Sequence, residues 1–142
     1  PHNNQIAAIA TQLLEVQTLE FKEYCKNVID NAKILAQTLQ KFGYTISTDG
    51  TDTHIILVNL KNKNITGSKV ELVCEAVGLS LNKNSVYGDK SALTPGGIRL
   101  GTSAMTSRGV NTFGFIQIAD ILHECIELSI DIQNNNGKKL TD

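Results

Sequence analysis

The chain has no tryptophan, two prolines and one methionine among its 142 residues, and aromatic residues make up only 5%. It also lacks an excess of charge of either sign, with 13 Lys plus Arg against 14 Asp plus Glu. A nearly neutral chain has no basic field of the kind that attracts nucleic acid or an anionic membrane. No apolar run is long enough to cross a bilayer. We therefore expect neither a nucleic-acid partner nor a membrane segment.

Cysteine is scarce as well, and its spacing argues against two common kinds of site. Cys25, Cys74 and Cys125 are odd in number and far apart, and none forms a Cys-x-x-Cys pair. This pattern predicts no disulfide framework and no zinc site, and the three histidines show no metal-ligand spacing. Three free thiols fit a reducing compartment best. The cytoplasm is the expected location, with a mitochondrial form as the alternative.

What is present is a globular composition, with 41% hydrophobic and 19% charged residues, enough for one domain with a core. The chain begins Pro1-His2-Asn3-Asn4, without an initiator methionine or a targeting region. We interpret this start as a sign that the chain is a piece of a longer protein.

Two helical patterns open the chain. Residues 4–16 carry apolar side chains at helical spacing, namely Ile6, Ile9 and Leu13. We interpret residues 1–17 as a connecting helix that leads out of another domain. Thr18 is a predicted N-cap, and an apolar stripe at steps of three and four follows over residues 21–42. Gly43 stands where a left-handed residue would end this second helix.

The rest of the chain predicts a sheet with helices packed against it. Strands are expected at residues 44–48, 55–60, 79–82 and 98–100, and helices at residues 66–77 and 111–132. The run at residues 55–60 is apolar at nearly every position, which is typical of a strand covered on both faces. Five residues of the last helix are predicted to be buried: Phe113, Ile116, Leu122, Cys125 and Ile126. The fold class is therefore α+β, a small and mainly antiparallel sheet with helices, over residues 18–132, followed by a flexible tail at residues 133–142.

The polar loop over residues 82–97 is the predicted place for chemistry, because long irregular loops in compact domains are often functional. It leads into Gly97-Ile98-Arg99-Leu100-Gly101. A guanidinium between apolar neighbours presents a planar fork that matches a carboxylate or a phosphate, so Arg99 is a candidate anion receptor. On spacing alone an internal salt bridge is the more common explanation of such an arginine.

Other polar residues give weaker signals. His54 precedes a predicted strand and is expected to be a hydrogen-bonded structural histidine. Arg108 is expected to form a surface ion pair. The amides around Lys83, in the run from Asn82 to Ser85, could read the edge of a heterocycle or simply cap turns. The cysteines lie on predicted helices as small core residues.

Several stretches occur together in an order that is specific to one family. They are Pro1-His2-Asn3, Gly50-Thr51-Asp52-Thr53-His54, Asn82-Lys83-Asn84, Gly88 to Gly97, Ile98-Arg99-Leu100-Gly101-Thr102 and Ala104 to Gly109. These stretches cover most of the chain up to Gly109. In this order they resemble the C-terminal third of the serine hydroxymethyltransferases. The spacing from Asn84 to Arg99 is similar to that of the eukaryotic enzymes.

The resemblance implies the C-terminal domain of a fold-type I pyridoxal-phosphate enzyme. Such an enzyme is a transferase that interconverts serine plus tetrahydrofolate with glycine plus 5,10-methylenetetrahydrofolate, as a homo-oligomer. Arg99 then matches the arginine that grips the substrate carboxylate. The positions that match the folate site are Asn84, Ser91, Ala92 and Leu93. The Schiff-base lysine lies upstream in the family, so no catalytic residue is assigned here and the isolated chain is expected to be inactive.

Three positions depart from the family pattern. The family commonly has proline where this chain has Tyr87, asparagine where it has Thr53, and proline where it has Ser103. Tyr87 changes the stiffness and the aromatic character of the loop that resembles the folate site. Neither Thr53 nor Ser103 alters the motif around Arg99.

Two other functions compete with that of an enzyme part. One is a non-catalytic module that uses Arg99 to bind an amino acid or another anion. The other is a structural oligomerisation domain whose long helix over residues 18–42 packs against a partner. A helix from a larger assembly should leave the apolar face of Ile6, Ile9 and Leu13 uncovered, whereas a complete module should bury it.

Overall fold

A computed structural model describes residues 2–137 of the chain. Over this range the elements follow one another as α1 (Asn3–Glu15), α2 (Leu19–Lys41), β1 (Thr45–Ile46), β2 (Ile55–Asn59), α3 (Gly67–Ala76), β3 (Asn82–Asn84), β4 (Gly97–Gly101), α4 (Ser103–Ser107) and α5 (Thr112–Asn136). Short 3-10 turns occupy Ser47–Asp49 and Lys61–Lys63. This mixture of helices with one sheet confirms the predicted α+β class.

The sheet has the strand order β1-β2-β4-β3, and every neighbouring pair is antiparallel. The antiparallel sheet is as predicted. Arg99, at the middle of β4, lies opposite Leu57 of β2 on one side and Asn82 of β3 on the other. Because directly opposed residues point to the same face of an antiparallel sheet, these three side chains share a face.

One face of the sheet forms the core together with α2, α3 and α5. Ile56 and Val58 of β2 and Ile98 of β4 are completely buried there. They pack in one cluster with helix residues such as Leu39 and Phe115. We name this the closed face, defined by Ile56, Val58 and Ile98. Burial of large aliphatic side chains contributes about 1.5–3 kcal/mol each, so this face supplies much of the stability.

The opposite face is uncovered within residues 2–137 except beside Gly97, where Val86 packs on it. Strand alternation places Ile55, Leu57 and Asn59 of β2 there with Arg99, and Ile55 is 40% exposed. We name it the open face. The prediction that β2 is covered on both faces is therefore wrong for the described chain. An apolar run shows which side chains avoid water, but it does not show which segment covers them.

The helix boundaries follow the predicted capping residues. The Oγ1 of Thr18 accepts a hydrogen bond from the Phe21 N–H at 3.2 Å. Gly43 has φ +83°, just beyond the end of α2. The left-handed conformation is open to glycine at little cost. The prediction of this helix, with both of its ends, is confirmed.

Some boundaries differ from the prediction. Only Thr45–Ile46 of the stretch 44–48 is a strand, since the chain turns at Ser47–Asp49, where Thr48 and Asp49 have positive φ. The strand expected at 79–82 begins at Asn82 instead. Helix α4 was not predicted, because its five residues carry too few apolar positions to show a helical period.

The last helix is longer than expected. Two of its five predicted core residues are not in the core, since Phe113 is exposed and Ile116 is only half-buried. α5 continues to Asn136, so the first part of the predicted tail is helical, and residues 138–142 lie outside the described residues. Phe113 is 66% exposed and Phe115 is 1% exposed. The expected burial of Phe113 is incorrect because a two-residue step moves a side chain about 200° around a helix.

Helix α1 forms as predicted, and its apolar side chains are exposed. Ile6, Ile9 and Leu13 are 58%, 60% and 56% exposed. They find no cover among residues 2–137, which is the outcome expected for a helix that leads out of another domain. The assignment of residues 1–17 as a connecting segment stays a prediction. No helix in the described part is both long and apolar enough to span a membrane.

Candidate functional site

Arg99 is positioned by the alternation of β4. Its neighbour Ile98 is completely buried in the core, so the next side chain along the strand must point to the open face. A slip of one residue would bury the guanidinium and expose Ile98, so the register is strongly specified. With β2 on one side and β3 on the other, β4 is an interior strand. The base of the arginine side chain therefore rests on a rigid element.

The guanidinium of Arg99 is exposed, and no ion pair or hydrogen bond engages it from residues 2–137. The internal salt bridge, which spacing alone made the more common explanation, is therefore not found in this part of the chain. By strand register, the other open-face positions carry no carboxylate: Thr45, Ile55, Leu57, Asn59, Asn82, Asn84, Gly97 and Gly101. An uncompensated guanidinium on a neutral surface suits a carboxylate or phosphate ligand.

The two glycines that flank this part of β4 have different surroundings. A Cβ on Gly97 would lie 2.5 Å from Cγ1 of Val86 and 2.6 Å from the carbonyl oxygen of Val58, so the protein itself fills that space. A Cβ on Gly101 would meet nothing closer than the His54 carbonyl oxygen at 3.9 Å. Close approach of a ligand to the backbone is therefore possible beside Gly101 and not beside Gly97.

Asn84 lies on the open face with Arg99, one strand away. It pairs with Gly97 in the sheet, and its Nδ2 donates to the Ser85 carbonyl oxygen at 2.8 Å. The amide oxygen of Asn84 accepts no hydrogen bond from the described residues. Sequence reasoning thus placed Asn84 in a loop, whereas the structure places it at the end of β3, beside the arginine strand.

Ser91, Ala92 and Leu93 form the tip of the loop that joins β3 to β4. All three are exposed, and Leu93 is 84% exposed. The tip has few contacts: the Ser91 Oγ accepts from the Leu93 N–H at 3.2 Å, and the Ser68 Oγ donates to the Leu93 carbonyl oxygen at 3.3 Å. The structure describes no contact between this tip and Arg99.

The base of the same loop is held by Asp89, which sequence reasoning missed. Its Oδ2 accepts hydrogen bonds from the N–H groups of Val86 at 2.9 Å and Gly96 at 2.8 Å. Its Oδ1 lies 2.8 Å from the Nζ of Lys61, which also donates to the Tyr87 carbonyl oxygen at 2.8 Å. We name this arrangement the Asp89 clasp, defined by Asp89, Lys61, Val86 and Gly96. The only sequence signal was an aspartate after Gly88 in a turn-rich run.

The clasp stabilises the ionised carboxylate. The Gly96 N–H, the Lys61 ammonium and the Val86 N–H together lower the pKa of Asp89 from 3.8 to about 2. Hydrogen bonds and a cation both favour the charged form of a carboxyl group. Asp89 is therefore ionised throughout the neutral range.

The remaining polar candidates are His54, Arg108 and Lys83, and none of them lies on the open face beside Arg99. His54 is exposed, and its imidazole has no hydrogen-bond partner within residues 2–137, contrary to the structural role expected of it. Arg108 forms no ion pair in that range, so its predicted pairing is not found. The Nζ of Lys83 lies 2.9 Å from Glu71 of α3.

Two of the three cysteines are core residues, as predicted, and the third is not. Cys74 and Cys125 are buried and free, and Cys25 is partly exposed. Burial, with the nearby Cys125 thiol, raises the pKa of Cys74 to about 12. A thiol that stays protonated is a poor nucleophile. Over the described part of the chain, no three His, Cys, Asp or Glu residues gather in a way that could hold a metal ion.

The comparisons with known proteins agree with one another. Residues 1–122 match the family model described as serine hydroxymethyltransferase. Serine hydroxymethyltransferase 5 of Arabidopsis thaliana is 49% identical over 142 residues, which is 100% of this chain and 30% of that protein. Serine hydroxymethyltransferase of Plasmodium falciparum is 48% identical over 142 residues, covering 100% of this chain and 32% of that protein.

A relative that is named cytosolic also matches nearly the whole chain. Serine hydroxymethyltransferase, cytosolic, of Saccharomyces cerevisiae is 44% identical over 138 residues, which is 97% of this chain and 29% of that protein. The chain thus spans about 30% of the length of the curated relatives that it matches.

Proposed function

The chain belongs to the serine hydroxymethyltransferase family, and from that membership we propose that it forms the substrate-carboxylate part of an active site. The reaction proposed for the whole protein is the interconversion of L-serine plus tetrahydrofolate with glycine plus 5,10-methylenetetrahydrofolate. The observation that carries the proposal is the guanidinium of Arg99, which has no ion pair or hydrogen bond within residues 2–137 and is held at the middle of an interior strand on the open face.

In this proposal Arg99 binds the carboxylate of serine or glycine through its planar fork. Two parallel N–H···O bonds define both the position and the plane of the carboxylate. Because β4 is fixed by β2 and β3, the backbone that carries Arg99 is already in place, and binding has to order only the arginine side chain. The neighbours Leu57 and Asn82 offer an apolar and a neutral polar contact, so neither competes for the guanidinium.

Two lysines beside the loop that joins β3 to β4, Lys61 and Lys83, do not fit the role of the Schiff-base lysine of pyridoxal phosphate. The Lys83 Nζ pairs with Glu71 at 2.9 Å, and the Lys61 Nζ pairs with Asp89 at 2.8 Å, so each ammonium group already serves as the partner of a carboxylate. We therefore propose that the cofactor is held by a part of the protein that this chain does not include. No catalytic residue is assigned to this chain, and it is expected to be inactive alone.

For the co-substrate we propose contacts from Asn84, Ser91, Ala92 and Leu93. Asn84 shares the open face with Arg99, and its amide can donate to and accept from the edge of a heterocycle. The tip residues Ser91 to Leu93 lie exposed in the loop that connects the strands of Asn84 and Arg99. The exposed side chain of Leu93 suits the aromatic part of a folate.

Two further properties of the whole protein are proposed. Several relatives are named cytosolic, which supports a cytoplasmic location for this protein. The uncovered open face and the exposed apolar side of α1 support a homo-oligomer in which other chain segments cover them.

The test is a titration of the full-length protein with glycine, followed through the visible spectrum of the cofactor, in wild type and in Arg99→Ala and Arg99→Lys. Loss of Arg99 should weaken glycine binding by about 2–5 kcal/mol, the usual cost of stranding one partner of a charged pair. Arg99→Lys should recover part of the loss, because lysine keeps the charge and loses the fork.

Arg108→Ala is the matched control, since Arg108 is exposed and forms no ion pair within residues 2–137. Its glycine affinity should equal that of wild type. Unchanged affinity in Arg99→Ala would overturn the assignment of the carboxylate site. A wild type that shows no cofactor spectrum but binds glycine would support the alternative function, a non-catalytic anion-binding module.

A further inference from the structure

The loop between β3 and β4 has a fixed base and an exposed tip. Its two arms leave the sheet at Asn84 and return to it at Gly97. Near the base, Val86, Pro95 and Gly96 are buried, whereas all four residues from Ser91 to Thr94 are exposed. A loop of this kind is ordered where it joins the scaffold and open where a ligand would meet it.

One carboxylate joins the two arms of the loop. The Oδ2 of Asp89 accepts from the Val86 N–H on the outgoing arm and from the Gly96 N–H on the returning arm. These are charge-assisted hydrogen bonds, which are stronger than bonds between neutral groups. A single side chain therefore bridges the two arms just beyond the sheet.

Lys61 connects this carboxylate to the body of the domain. It belongs to the 3-10 turn that follows β2, and its Nζ contacts both the Asp89 Oδ1 and the Tyr87 carbonyl oxygen at 2.8 Å. The Asp89 side chain is only 10% exposed, so solvent screens this pair less than an ordinary surface pair. The loop is thus tied to the strand that lies opposite Arg99.

The packing at the base leaves little room for the arms to move. A Cβ on Gly96 would lie 2.8 Å from the Asp89 Oδ1 and 2.9 Å from the Lys61 Cε. A Cβ on Gly67 would lie 1.9 Å from the Gly97 carbonyl oxygen, and the Gly67 N–H donates to Pro95 at 2.8 Å. A side chain at Gly67 would collide with the backbone of the returning arm, and one at Gly96 would displace the side chains of the clasp.

We propose that Asp89 and Lys61 are positioning residues that hold the Ser91–Leu93 tip in the shape that receives the folate co-substrate. This inference rests on the proposed function. Neither residue needs to touch the ligand, because the effect is to fix the base of the loop, and with it the place of the tip, before binding. A loop ordered in advance loses less conformational freedom when the ligand arrives, which raises affinity.

The inference is tested with Asp89→Asn and Lys61→Met in the full-length protein. Asp89→Asn removes the charge from the acceptor, and Lys61→Met keeps the carboxylate but removes its cation. Asp30→Asn is the matched control, because Asp30 pairs with Lys26 on the exposed side of α2, away from the loop. Two quantities are measured: hydrogen exchange at the amides of Val86 and Gly96, and the KM for tetrahydrofolate beside the dissociation constant for glycine.

Asp89→Asn should speed exchange at Val86 and Gly96 and raise the KM for tetrahydrofolate, each by about tenfold or more, as expected for weakened hydrogen bonds to a charged group. Lys61→Met should shift both quantities in the same direction by a smaller factor. Glycine binding should be unchanged in both variants, and Asp30→Asn should match wild type throughout.

Three other outcomes would overturn the inference. Faster exchange with an unchanged KM for tetrahydrofolate would show that the clasp is structural only. Equal losses of glycine and folate affinity would show a general disturbance of the domain and not a positioned loop. A wild type that binds glycine but not tetrahydrofolate would overturn the proposed folate role itself, and this inference with it.

Discussion

The two faces of the four-stranded sheet are built from the same strands and differ in almost everything else. On the closed face, Ile56, Val58 and Ile98 are completely buried against helices. On the open face, Ile55 is 40% exposed, and the guanidinium of Arg99 finds no ionic partner within residues 2–137. Alternation along β2 and β4 therefore separates the residues that stabilise the domain from those available for recognition.

The difference shows how the core determines the position of the candidate site. The apolar residues of the closed face set the strand register, because any one-residue slip would expose them. The same register places Arg99 opposite Leu57 and Asn82 on the other face. Stability and recognition are thus coupled through geometry, although they depend on different side chains.

The largest expected effect comes from two adjacent isoleucines on opposite faces. Ile56→Ala should lower the free energy of unfolding by about 2–5 kcal/mol, since it removes a fully buried side chain and leaves a cavity. Ile55→Ala, with the same chemistry on the open face, should cost less than about 1 kcal/mol. Denaturant unfolding of the 142-residue chain measures both values.

The isoleucine pair contains its own control, because both variants lose the same atoms from neighbouring positions of one strand. Equal destabilisation by the two substitutions would contradict the distinction between the faces. It would show that the open face is covered by further contacts in solution, such as a second copy of the chain.

A smaller and local effect is expected at acid pH in the Asp89 clasp. The pKa of Asp89 is lowered from 3.8 to about 2 in the folded chain. A carboxyl group with a lowered folded pKa stabilises the fold above its unfolded pKa, and that contribution is lost as the pH falls through the folded value. The order of the loop base should therefore persist down to about pH 4 and be lost between about pH 4 and 2.

The amide chemical shift of Gly96, followed by NMR against pH, measures this titration, because that N–H donates directly to the Asp89 carboxylate. Lys61 is the charged group that faces Asp89, so Lys61→Met should move the midpoint upward. A wild-type midpoint near the ordinary value of 3.8 would show that the clasp does not form in solution.

The long helices and their ends could be predicted from the sequence because their signals are local. Thr18 and Gly43 act through hydrogen bonds and backbone angles within a few residues, and both were identified correctly. The stripe along α2 repeats over six turns, so the period is unambiguous. The position of Arg99 inside a strand was also predictable from its apolar neighbours.

What could not be predicted depends on contacts that are distant in sequence. Lys61 and Asp89 are 28 positions apart, and nothing local to either residue indicates the other. The short strand β3 is held by pairing with β4 and has little strand character of its own, since its residues are Asn82, Lys83 and Asn84. Coverage of a face is likewise a property of the assembled elements and not of a single apolar run.

The smallest expected effect is on the stability of Arg99→Ala. Because this side chain is exposed and makes no ion pair or hydrogen bond within residues 2–137, its removal should change the unfolding free energy of the chain by less than about 0.5 kcal/mol. The same substitution is expected to weaken glycine binding by about 2–5 kcal/mol in the full-length protein. A residue with a large effect on binding and almost none on folding is one that the fold positions without depending on it. A clear loss of stability in Arg99→Ala would instead place Arg99 among the structural residues, and the open face would lose its main candidate for recognition.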